Sequence, residues 1–224
     1  MGVSRHIMKQ LDETLTKRLK QLFLQAKSEY AEDYLIVGVP NFFAKKSIAY
    51  CAMKEDLELC LKYINLLRTE TNKTLISSLT YSLISLYGKC FTDASKNRYP
   101  KLEPNSLFKD KSNLEEIHNY MMDLRHQFIA HRGETNSEIA ISYLLIPKED
   151  DISQTQVRFS QLKQMGFSRE DLGKIENLIQ FVITKLYKKI EKSGNKIHDG
   201  FLENFSHDIA SALIINNVKD DTEN

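Results

Sequence analysis

Apolar residues recur at steps of three and four along most of this chain, and that period predicts helices. From Ser4 to about Tyr34 the positions Ile7, Leu11, Leu15, Leu19, Leu22 and Ala26 fall on one face, with Lys, Arg, Glu and Gln elsewhere. Gly38 and Pro40 interrupt the pattern. Ser47 to Met53 is apolar and fits a short strand or the opening turns of the next helix; Ile, Tyr and Cys clustered ahead of the acidic Glu55-Asp56 start signal favour the strand. A helix then runs to about Thr69 and buries Leu57, Leu61, Ile64 and Leu67. Thr71 and Asn72 are capping types, and the next helix spans Lys73 to Phe91 with Leu75, Leu79, Leu83, Leu86 and Cys90 inward.

Between Thr92 and Lys111 the period is lost, and Asp93, Ser95, Asn97, Pro100, Pro104 and Asn105 mark a loop. A loop of that length inside a compact domain points to function or mobility. The stretch LEEIHNYMMDLRHQFIAHRG, Leu114 to Gly133, then restores the helical stripe through Leu114, Ile117, Met121, Leu124, Phe128 and His131. Ser112 with Glu115 has the form of a capping box, and Gly133 suits the left-handed position that closes a helix. Glu138 to Ile146 and Gln156 to Gln161 change to a β pattern, separated by Pro147 and the charged run Lys148 to Asp151, and predict a hairpin. Ser168 with Asp171 opens a long helix ending at Gly194, its stripe being Leu172, Ile175, Leu178, Ile179, Val182, Leu186 and Ile190. A short helix over Glu203 to Asn216 precedes a polar tail. With no internal repeat and no linker signal, these elements make one mainly α domain over residues 1–224, a helical up-and-down bundle with a small β-hairpin insertion.

Composition narrows the function classes. The chain is 42% hydrophobic and 27% charged with net charge +1, so there is no global basic excess, and positive charge must act locally. Local charge collects in the loop, at Lys96, Arg98, Lys101 and Lys109. No signal-peptide core and no apolar run long enough to span a bilayer are present, so no membrane association is expected. The three cysteines Cys51, Cys60 and Cys90 fit neither a zinc pattern nor a disulfide framework, which points to a reducing, cytoplasmic setting. Catalytic Ser/His/Asp triads, Gly-rich phosphate loops and paired CxxC motifs are absent. His198 and His207 stand beside Asp199 and Asp208, but a spacing of nine matches no chelating helix or loop.

The candidate chemistry lies in Arg125-His126-Gln127-Phe128-Ile129-Ala130-His131. This string resembles the R-x4-6-H motif of the HEPN superfamily, with His126 at the position after the arginine where that family carries a small polar or imidazole residue. The ending RHQFIAHRG is similar to the endings of HEPN-like proteins, and Tyr87-Gly88-Lys89-Cys90-Phe91 to a Tyr-small-basic-x-Phe string in some bacterial members. The resemblance covers about residues 56–194; the N-terminal helix, residues 4–34, and the C-terminal helix, residues 203–216, lie outside it.

The resemblance implies a helical bundle, often a homodimer, that cuts RNA without metal or other cofactor, typically in a toxin–antitoxin module or antiviral defence, with an antitoxin or regulatory protein as a further partner. Arg125 and His131 are the implied catalytic pair. On one regular helix they lie about 9 Å apart along the axis and roughly 120° apart around it. Two copies packed antiparallel across a two-fold axis could bring one Arg and His set against the other, a composite dimer site. His131 would move a proton between the ribose 2′-OH and the leaving 5′-oxygen, and Arg125 would hold the scissile phosphate with its planar fork. The 2′-OH is an internal nucleophile, so RNA and not DNA would be the substrate. His126, Arg132, Lys89 and Tyr87 would support the site, and Lys96, Arg98 and Lys101 would follow the RNA backbone.

Plainer roles compete for each residue. His131 is equally placed to cap helix-end carbonyls, Arg125 to pair with a carboxylate such as Asp123 or a neighbour's Glu116, and Lys89 to cap its helix. His118 reads as solvated or half-buried. At the level of function, the alternative is a non-catalytic HEPN-like module that binds RNA or nucleotide or mediates assembly, and a third is a purely structural helical protein.

Overall fold

The computed structural model describes residues 17–30, 32–34, 36, 38–39, 41–93, 99–129, 138–147, 155–163 and 166–204. These form α1 (17–30), α2 (Asn41–Leu67), α3 (Lys73–Lys89), α4 (Pro104–Leu107), α5 (Ser112–Asp123) continued by a π turn (Leu124–Ile129), then β1 (Glu138–Leu145), β2 (Gln156–Lys163) and α6 (Arg169–Asn204). The fold is mainly helical with a small two-stranded antiparallel sheet, as the periodicity predicts. By compactness the chain divides into Lys45–Asn195 and a second unit made of Met1–Ala44 with Lys196–Asn224.

In the larger unit, helix boundaries follow from local hydrogen bonding. The Asn72 side chain accepts from the Thr74 and Leu75 amides at 2.9 and 3.3 Å and opens α3. Glu70 accepts from the Thr71 and Asn72 amides at 2.8 Å each, which tightens the turn out of α2. Ser168 Oγ accepts from the Asp171 amide at 3.1 Å and donates to the Asp171 carboxylate at 2.6 Å, the start signal expected for α6. At α5 the expected capping box does not form. The residue before the first helical turn is Lys111, so Ser112 already lies inside the helix and caps nothing. The chain enters α5 through Asp110, whose φ of 62° is left-handed, a conformation Asp tolerates.

The core joins α2, α3, the α4 region, α5 and α6. Leu57, Cys60 and Ile64 meet Leu83, Ile84 and Tyr87, Leu102 and Phe108, Met121, and the α6 stripe from Leu172 to Leu186. The Arg68 guanidinium, at the end of α2, donates to Glu176 of α6 at 2.6 Å across this core's edge.

Several sequence expectations are corrected here. Ser47 to Met53 is helical, part of the single 27-residue α2; the short apolar run is buried on one side only, and a helix serves that as well as a strand. The inward face of α3 is Thr80, Leu83, Ile84, Tyr87 and Gly88, whereas Leu75 is 48% exposed. α6 does not stop at Gly194 but continues to Asn204; no described glycine has positive φ, so Gly194 makes no left-handed stop. Most of the short helix expected over 203–216 lies outside the described residues.

In the smaller unit, α1 exposes Leu19 and Leu22, two residues expected on its buried face. The Phe23 ring stands 3.8 Å from where a Cβ on Gly38 would lie.

The hairpin forms in the expected place, with Ile139 opposite Leu162, Ile141 opposite Ser160 and Leu144 opposite Val157. Its apolar side chains on both faces are exposed, Leu162 by 77% and Val157 by 75%. Ile141→Lys is therefore expected to change unfolding free energy by no more than about 0.5 kcal/mol in urea titration. A loss above about 1 kcal/mol would mean that this face is covered in solution.

Candidate functional site

The last turns of α3 and the end of α5 build the region around the sequence motif. Tyr87 points into the core, fully buried, and shares a 2.7 Å hydrogen bond with His118 Nδ1 from α5. His118 is buried rather than solvated, with ring centroids of Phe91 and Phe108 at 4.4 and 4.9 Å. Charging an imidazole inside this aromatic cage forfeits its hydration, so burial lowers the His118 pKa to about 4. Burial likewise pushes the Tyr87 phenol up and the Cys90 thiol up to about 12, so both stay protonated at neutral pH. Tyr87, expected to support catalysis, thus fastens α3 to α5 from inside.

One residue on, Gly88 faces Arg125. Residues Leu124–Ile129 are wound as a π turn, with hydrogen bonds reaching i→i+5, and this turn lies against α3. The widened winding advances each residue less than the 100° of an α-helix. The regular-helix advance therefore does not hold within Leu124–Ile129, and His131 lies beyond the described residues. π turns of one coil inside an α-helix occur frequently at functional positions. Arg125 is half-buried, its aliphatic stem crossing the space that a side chain on Gly88 would fill. Among the described residues its guanidinium has neither a carboxylate partner nor a hydrogen bond.

The other expected site residues divide. His126, next on the π turn, is exposed. Lys89 is exposed and pairs with Asp56 of α2 at 2.8 Å, which ties it to the scaffold. Lys101 lies 3.6 Å from Glu103. His131, Arg132, Lys96 and Arg98 lie outside the described residues. Sequence reasoning gave no role to Gly88; its signal was a glycine in the last turn of an otherwise regular helix.

A separate groove of about 610 Å³ runs between α5 and α6, lined by Asn113, Glu116, Ile117, Tyr120, Asp171, Lys174 and Ile175. Lys174 there pairs with Glu170 at 2.6 Å, and the carboxylates of Glu116 and Asp171 line the rest, a poor environment for a polyanion. None of the motif residues lines it. Among the described residues no group of three or more His, Cys, Asp or Glu side chains is placed to hold a metal ion, and no helix is long and apolar enough to cross a membrane. No family model, curated protein or solved structure matches the chain.

Proposed function

We propose that this protein is a metal-independent endoribonuclease of the HEPN type, acting as a homodimer with a composite site in a toxin or antiviral defence role. The observation that carries the reading is Arg125: a half-buried guanidinium on a π turn with no carboxylate to neutralise it among the described residues. A cation so placed invites an anionic ligand, and its flat fork suits two oxygens of a phosphate. His131, six residues on, is the motif's proton carrier.

In the proposed reaction His131 takes the proton of the ribose 2′-OH as the oxygen attacks the adjacent phosphorus. The phosphorus–O5′ bond breaks, a 2′,3′-cyclic phosphate forms, and the 5′-oxygen leaves with the proton that the His131 imidazolium returns to it. Arg125 holds the charge that grows on the phosphoryl oxygens. His126 and Arg132 stand beside these two in sequence and contact neighbouring phosphates, as does Lys89 once drawn from Asp56. Lys96, Arg98 and Lys101 guide the backbone on either side.

The test is RNA cleavage in EDTA by the wild type, Arg125→Ala and His131→Ala, with a 2′-O-methyl RNA as control. The expected result is cleavage by the wild type alone, none of the blocked substrate, and cyclic-phosphate ends on the products. Binding without cleavage would leave a non-catalytic RNA-binding module, and cleavage by His131→Ala at the wild-type rate would remove that residue from the chemistry.

A further inference from the structure

Gly88 sits in the last turn of α3, an α-helical position that alanine fills better. Its φ is not positive, so conformational freedom does not explain a glycine there. Space does. A Cβ built on Gly88 would lie 2.7 Å from Arg125 Nε and 3.2 Å from Cγ, and closer still to Cδ. All three atoms belong to the Arg125 side chain, two to its aliphatic stem and one to the guanidinium, and none to the backbone of a neighbouring element. The missing side chain is therefore a notch, and the stem of Arg125 lies in it.

We infer that Gly88 is the positioning residue for Arg125, fixing the direction in which the guanidinium leaves the π turn. This rests on the phosphate-holding role proposed for Arg125. The elements on either side are held independently of it. The Gly88 carbonyl accepts from Thr92 Oγ1 at 2.8 Å and from the Phe91 amide at 3.1 Å, and Tyr87 is locked to His118. A methyl group at position 88 thus meets a fixed backbone and a movable side chain, and the side chain gives way. Its far end then swings out of line, and displacements of about 1 Å at such a group cost on the order of 10²-fold in rate.

The experiment combines Gly88→Ala, Arg125→Ala and the double variant in the full chain. Three readouts are taken: RNA cleavage, thermal midpoint, and the NMR signal of the Arg125 Nε–H, assigned by its loss in Arg125→Ala. Gly88→Ala is expected to cut cleavage about 10–100-fold, to shift the Nε–H signal, and to keep or raise the midpoint. The double variant should cleave no worse than Arg125→Ala alone, because the misplaced group is already gone. Should Gly88→Ala fold poorly, the double variant is expected to recover the midpoint, since the shortened side chain clears the notch; failure to recover it would overturn the inference. Full cleavage by Gly88→Ala beside an inactive Arg125→Ala would overturn the positioning role and leave the nuclease standing. If the wild type cleaves no RNA, the nuclease reading falls, and the Nε–H signal still decides: unmoved by Gly88→Ala, it refutes the notch.

Discussion

Acidification from pH 7.5 to pH 5 is expected to cost the fold about 2 kcal/mol through His118 alone. The imidazole titrates at about 4 in the folded chain and near 6.5 once unfolded, so between those values the unfolded state binds more protons. The stabilisation is fully present above pH 6.5, drains as pH falls through that window, and is gone below about 4, where the total loss is about 3 kcal/mol. The groups around the ring explain why no compensation arises. Tyr87, Phe91 and Phe108 surround it, and none carries a negative charge to welcome a proton. Urea unfolding at pH 7.5, 6 and 5 measures the slope. His118→Gln, which keeps an amide within reach of the Tyr87 hydroxyl, is expected to be less stable at pH 7.5 and nearly flat across the same range. Equal acid sensitivity in both proteins would mean that surface carboxylates, not this imidazole, set the slope.

The same residue shows where the sequence could be read and where it could not. The stripe of α6 was legible because seven apolar positions recur on one face over five turns, and six of them are buried. The cap at Asn72 was legible because it rests on contacts two and three residues away, and the hairpin because its strands carry a β pattern on either side of a polar break. His118 was not, because its burial depends on Phe91, Phe108 and Tyr87, which come to it from other elements. The π turn was hidden for a different reason. Leu114, Ile117, Met121 and Leu124 obey the helical period up to its first residue, and nothing in Arg125 to Ile129 announces a wider coil. At Ser112 the capping pattern was present but one residue too far in, since the helix begins at the serine itself. For the candidate site, the sequence singled out Arg125 but not the glycine that receives it, because a notch is a relation between two helices and has no motif.

Arg125→Ala is expected to lower RNA cleavage by about 10²–10³-fold, the usual effect of removing one donor that meets developing charge. Its effect on stability should be small, below about 1 kcal/mol, because only the packing of the stem is lost. An arginine in a buried ion pair would behave in the opposite way, costing about 3–5 kcal/mol by stranding its carboxylate. The pair of measurements therefore separates a ligand-holding guanidinium from a structural one. Arg125→Lys sharpens the distinction. If simple positive charge attracts the RNA, lysine restores most of the rate and the salt dependence of binding is unchanged. If two phosphate oxygens are held by the fork, lysine stays within about tenfold of alanine, because an ammonium offers a point charge without the planar pair of donors. The second outcome is the expected one. On the proposed reading, the stem lies along Gly88 and the guanidinium has no competing carboxylate among the described residues, so the fork is open to a phosphate. Near wild-type cleavage by Arg125→Lys would reduce the residue to a contributor of charge, and the fixed stem would then have no catalytic consequence.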